Sequence, residues 1–163
     1  MGINYRGKDD LFYFTLLFIE HEYGRDEFIK GLKSSKKTVD NFHKKHPNYT
    51  VIHNDLKDMK DVTSVQTYKK GSWILHMLRG LLGTKIFWKG IRAYYLKYKD
   101  LNASTKDFKT IMEEVSGKDL TKFFDQWLYK PGNLVLDGVW KYDKNLQEIT
   151  LELKQVQKGN VII

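Results

Sequence analysis

The sequence predicts a mainly α-helical chain that ends in a short β-hairpin. Two observations carry this. Between Leu11 and Leu128, apolar residues recur at helical spacing in successive blocks closed by Gly or Pro. After Pro131-Gly132 the period changes from helical to alternating, which is the mark of strands.

Taken in order, Leu11 to Tyr23 is apolar almost all round, the pattern of a buried helix, and Gly24 is placed as its stop. Asp26 to about Lys44 reads as a second helix, with Phe28, Leu32, Val39 and Phe42 among many Lys. The stretch from His46-Pro47 to about Val65 has no clean period and reads as a loop with short elements. From Tyr68 the signal strengthens: Trp73, Ile74, Met77, Leu78, Leu81 and Leu82 place one apolar stripe on a helix ending at Gly83. Ile86, Phe87, Gly90, Ile91, Tyr94, Tyr95 and Tyr98 repeat that spacing, so the two neighbours should pack as an antiparallel pair. Asn102-Ala-Ser104-Thr105 offers an N-cap before Phe108, Ile111, Met112 and Val115, and Gly117 closes that helix. Leu120, Phe123, Phe124, Trp127 and Leu128 make a last helix. Val135, Asp137, Val139 and Lys141, with Leu151 and Leu153 beyond Asp143-Lys144-Asn145, then read as a hairpin, which is marginal alone. The shift at Pro131-Gly132 divides the chain into 1–132, helical, and 133–163, too short to be a domain and so the beginning of one.

Composition narrows the chemistry. The 163 residues contain no Cys, which removes disulfides, thiolate metal sites and cysteine nucleophiles together. The net charge of +8 is compatible with nucleic acid, an anionic surface or solubility alone. Lys33, Lys36, Lys37, Lys44 and Lys45 read as a solvated helical face and not as a nucleic-acid site, because the aromatics that would stack on bases sit at core spacing. Leu11 to Ile19 is half the length a membrane helix needs, has no cleavage site after it, and gives no membrane segment.

Motif candidates thin out quickly. His43-x-x-His46 has spacing for one metal, but Pro47 ends the helix there and no third ligand follows. His21-Glu22-Tyr-Gly-Arg25 begins like H-E-x-x-H, yet Arg25 cannot ligate and Gly24 ends the helix. No phosphate-cradle, dinucleotide or nucleophile-elbow motif occurs. Tyr68-Lys69-Lys70-Gly71 remains, at the opening of the most strongly patterned helix. A neutral phenol donor at a helix start suits an oxyanion, and equally it is an ordinary packed Tyr.

Thr67-Tyr-Lys-Lys-Gly-Ser-Trp-Ile-Leu-His-Met-Leu-Arg79 resembles the Y-x-K-G-x-x-x-L-x-M-L-R stretch of the aminopeptidase N family of zinc metallopeptidases, the gluzincins. Tyr13 to Phe28 is similar to the helix after the family's third zinc ligand, and Phe87 to Tyr95 with Asn102 to Phe108 to its next helices. Phe123 to Gly132 resembles the end of the catalytic domain, and Leu151 to Gln157 an opening strand of the following β-sandwich. The resemblance implies the helical second half of a thermolysin-like domain followed by a hairpin from a truncated β-sandwich. It implies a parent that hydrolyses N-terminal residues from peptides with zinc as cofactor, in which Tyr68 donates to the tetrahedral oxyanion.

The family's H-E-x-x-H and G-x-M-E-N motifs have no counterpart here, and the third-ligand position falls ungapped on Lys8, a cation with no free lone pair at pH 7. Residues 1–10 do not follow the family, as in a truncation with a non-native leader or a diverged copy. The chain alone is therefore expected to hold no zinc and to be inactive. The alternative is a non-catalytic helical module whose exposed Leu11–Ile19 face drives self-association or binds a separate zinc-bearing half.

Overall fold

The structure is a computed structural model that describes residues 8–52 and 66–157, with side chains from 12 to 52 and 67 to 157. The chain divides into two units, Met1–Pro131 and Gly132–Ile163. Most of the expected loop from His46 to Val65, namely 53–65, lies outside the described residues.

In the first unit, α1 (Lys8–Tyr23) is followed by α2 (Arg25–Lys45) with one residue between them. That residue is Gly24, whose φ of 89° lies in the left-handed region where only glycine sits without strain. A π-turn (Gln66–Lys70) leads into α3 (Gly71–Leu82), then α4 (Thr84–Tyr98) and α5 (Thr105–Ser116). The last predicted helix is split: α6 (Thr121–Phe124) passes into a second π-turn, Asp125–Tyr129. The capping residues of α5 are those the sequence predicts. Ser104 Oγ accepts from the Asp107 amide while Asp107 accepts from the Ser104 amide, a capping box, and Gly117 closes the helix in the left-handed conformation.

The core follows from the stripes. Tyr13, Phe28, Leu32, Leu78, Phe87, Met112 and Leu120 are almost wholly buried and belong to one apolar cluster. The four buried apolar residues Ile74, Leu75, Leu78 and Leu82 give α3 a buried face, and α3 packs on α1 and α4. Between α4 and α5 the approach is close enough that a methyl on Gly90 would overlap the Met112 sulfur. Ile52 donates its amide to the Leu128 carbonyl at 3.0 Å, tying the end of the described N-terminal segment to the second π-turn.

A charged network crosses the helices. Arg79 of α3 donates to Glu20 of α1 at 2.9 Å and to Thr84 at 3.2 Å, and Arg25 of α2 also donates to Glu20. Beside it the Tyr13 hydroxyl meets His76 Nδ1 at 3.2 Å. Desolvation alone would raise the Glu20 pKa, but the hydrogen bonds and charges of Arg79 and Arg25 outweigh it and hold the carboxyl below its ordinary value.

In the second unit, β1 (Leu136–Asp143) pairs antiparallel with β2 (Glu148–Gln155). The register sorts the two faces. Leu136/Gln155, Gly138/Leu153, Trp140/Leu151 and Tyr142/Ile149 make one face, and Asp137/Lys154, Val139/Glu152, Lys141/Thr150 and Asp143/Glu148 make the other. The first is apolar but for Gln155, and the second is charged but for Val139 and Thr150. At Gly138 an added methyl would meet the Glu152 carbonyl and the Leu153 side chain, so the glycine permits a close cross-strand approach. The turn is held by Asp143, whose Oδ1 accepts from the amides of Asn145 and Leu146.

Two outcomes test this packing. Gly90→Val should cost roughly 1–3 kcal/mol in denaturant unfolding, and Met112→Ala in the same chain should recover part of it. For Glu20, a folded pKa below the unfolded one means its stabilisation is present above about pH 4.3 and lost as pH falls through the lower folded value. The Tm of the native chain should therefore fall more steeply than that of Glu20→Gln as pH drops from 5 to 3.

Candidate functional site

The strongest candidate from the sequence, Tyr68, sits in the π-turn Gln66–Lys70. The sequence places it at the opening of the most strongly patterned helix, where a helix dipole would favour negative charge. Instead the turn runs directly into α3, with Lys70 already at φ −73° and ψ −36°, so Gly71 offers no free helix end for a dipole argument. A π-turn adds a residue to the helical repeat and re-aims the side chains it carries, and such turns recur at functional sites. The Tyr68 ring is half-buried, and its hydroxyl makes no hydrogen bond or ion pair among the described residues.

The backbone beneath Tyr68 is firmly held. The turn packs against α1, α2 and α3. The Lys69 carbonyl accepts from Ser72 Oγ at 2.8 Å and from Ser35 Oγ of α2 at 3.2 Å, and both serines are buried. Trp73 Nε1 donates to the Leu32 carbonyl of α2 at 3.2 Å. On the other side, the Lys69 ammonium lies 3.7 Å from the centroid of the Phe12 ring, in the early part of α1. Phe12, four residues beyond the third metal-ligand position that the resemblance implies, is thus in contact with the turn that carries Tyr68.

Electrostatically the turn is cationic and poorly hydrated. Lys70 is buried, and loss of solvation pushes its ammonium down to about 8. Lys69 is lowered for the same reason. His43 of α2 is lowered first by burial and then by the charge of Lys70. An apolar cleft of about 80 Å³ lies beside Gly71, lined by Val51, Ile74, Leu75, Phe108 and Leu128 among others.

The remaining sequence candidates stay apart. His43 is on the last turn of α2, and His46, at its C-cap, sets its ring 4.5 Å from that of Phe42. The exposed His21 pairs with Glu22, and Arg25 with Glu20. Lys33, Lys36, Lys37, Lys44 and Lys45 are exposed, the solvated face their spacing predicts. Among the described residues no three His, Asp or Glu side chains cluster as a metal site, so the residues described do not fit the zinc that the resemblance implies. No described helix is long and apolar enough to cross a membrane.

Sequence reasoning missed Ser35 and the burial of Lys70. Ser35 did leave a signal: it is the polar member of the α2 stripe Phe28, Leu32, Ser35, Val39, all four of which are buried.

Against known proteins, residues 12–127 match the model described as the peptidase family M1 domain. Aminopeptidase N of Lactococcus lactis subsp. lactis is 44% identical over 75 residues, covering 46% of this chain and 9% of that protein. Probable aminopeptidase 1 of Sulfurisphaera tokodaii is 30% identical over 109 residues, covering 67% and 14%. A crystal structure of Legionella pneumophila aminopeptidase A in complex with aspartic acid superposes with a TM-score of 0.67 over 91% of this chain and 16% of that one, at 15% identity, a likeness of fold. The chain spans between 9 and 14% of the length of these curated relatives. With the family model covering most of the helical unit, the chain belongs to the peptidase M1 family as part of its domain.

Proposed function

We propose that this chain is the helical second half of a thermolysin-like zinc aminopeptidase domain, that Tyr68 donates to the oxyanion formed when the first peptide bond is attacked, and that residues 133–163 open a β-sandwich. The observation that carries this reading is a half-buried Tyr68 on a braced π-turn whose hydroxyl has no hydrogen-bond partner among the described residues.

The chemistry is differential. Attack turns a planar carbonyl into a tetrahedral centre and moves charge onto its oxygen, so a fixed phenol O–H binds the transition state more strongly than the substrate. The donor must be immobile and spare. A hydroxyl already bonded within the protein would have to break that bond first. The apolar face of the hairpin accords with the β-sandwich reading, since Leu136, Trp140, Tyr142, Ile149, Leu151 and Leu153 are each exposed by 47–69% and would be buried by further strands.

A second reading, association with a separate zinc-bearing half or self-association, draws on α1. Tyr13 and Leu16 are buried in the core, while Phe18 at 59% and Tyr23 at 69% exposure are the large apolar side chains that α1 exposes among the described residues.

The test is a chimera in which residues 12–127 replace the matching segment of the Lactococcus lactis aminopeptidase N, so that position 8 and everything upstream come from the relative. It should cleave aminoacyl anilides, and Tyr68→Phe should lower kcat roughly 100-fold or more with KM little changed. Equal kcat in the two would remove Tyr68 from the mechanism. The isolated chain should retain less than stoichiometric zinc after dialysis and show no turnover. One tightly held zinc per chain, with turnover lost in Tyr68→Phe, would overturn the fragment reading.

A further inference from the structure

We propose that Ser35 and Ser72 are positioning residues for Tyr68: together they clamp the Lys69 carbonyl, and thereby set the direction in which the π-turn presents the phenol. This rests on the reading of Tyr68 as the oxyanion donor.

A π-turn shifts the backbone bonds from i→i+4 to i→i+5, and where it reverts to α-helix the donors and acceptors fall out of step. The Lys69 carbonyl lies at that junction, one peptide beyond Tyr68, and takes two side-chain hydroxyls, Ser72 Oγ at 2.8 Å and Ser35 Oγ at 3.2 Å. Ser72 belongs to the first turn of α3, and its bond reaches back along its own helix. Ser35 comes from a different helix, and its bond fixes the turn relative to the body of the unit. Both hydroxyls are inside, at 1% exposure for Ser35 and 0% for Ser72. The neighbours of Ser35 on the buried face of α2 are Phe28, Leu32 and Val39, so packing alone would be served by Ala. A hydroxyl buried there is costly unless it makes its bond. A second strut confirms the direction of bracing, since Trp73 Nε1 reaches the Leu32 carbonyl one turn earlier on α2. The chain is thus tied to α2 on both sides of Lys70, at Lys69 in the turn and at Trp73 in α3.

The experiment uses the full chain labelled with 13C-tyrosine, with the Tyr68 resonance assigned by its disappearance in Tyr68→Phe. In the double variant Ser35→Ala, Ser72→Ala, the Tyr68 resonance should shift or broaden while those of Tyr13 and Tyr98 stay in place. Amide exchange through Thr67–Gly71 should rise roughly fivefold or more relative to α4, and Ser35→Thr, which keeps the hydroxyl, should leave both readouts near the native chain. An unmoved Tyr68 resonance in a folded double variant overturns the proposal. So does an exchange increase spread evenly over α3 and α4, which reports general destabilisation. If the double variant loses the resonances of a folded core, Ser35→Ala alone is judged by the same criteria. Neither readout involves turnover. An intact turn in the variants therefore leaves the chimera result standing, and a chimera indifferent to Tyr68 leaves the brace standing.

Discussion

The helical unit depends on the burial of α3. Its Ile74, Leu75, Leu78 and Leu82 are all buried, and around this face α1 contributes Tyr13 and Leu16, α2 Phe28 and Leu32, and α4 Phe87. Each such side chain contributes about 1.5–3 kcal/mol when fully removed from water. α3 is also the helix into which the Tyr68 turn runs. The packing that stabilises the fold is therefore also the packing that holds the turn carrying Tyr68.

Among the described residues, several buried and half-buried polar groups in this unit meet partners. Ser35 and Ser72 converge on one carbonyl, Glu113 accepts from the Leu120 amide at 2.8 Å, and Arg79 meets Glu20. Burial of such groups adds less to stability than the apolar area around them. What it adds is direction, because a hydrogen bond fixes an angle and apolar contact does not. Lys70 shows the cost: its ammonium sits where solvation is poor, and the proton is held less tightly than on an exposed lysine.

The hairpin illustrates a different constraint. Its register puts nearly every large apolar side chain on one face and the charges on the other, so the strands are patterned for one-sided burial. A pair of strands cannot bury that face by itself, since each side chain has only a cross-strand neighbour and water above it. The same alternation that identifies it as a hairpin sorts its side chains into an apolar face and a polar one.

Much of this was legible in order. Gly24, Gly83 and Gly117 end the helices that the apolar stripes predict, and Ser104 caps α5, because glycine conformation and capping are local properties of the chain. Tyr68 was legible as a candidate through the motif around it. The π-turns were not: QTYKK and DQWLY carry no local preference for i→i+5 bonding. Nor could the sequence show that Ser35 and Ser72 meet at one carbonyl, or that Lys70 is inside while Lys36 and Lys37 are outside. By itself, then, the sequence determined the helices, their stops, the hairpin and the family. Tertiary structure alone decided how the turn that carries Tyr68 is held, since that depends on contacts between residues as distant in sequence as Ser35 and Lys69.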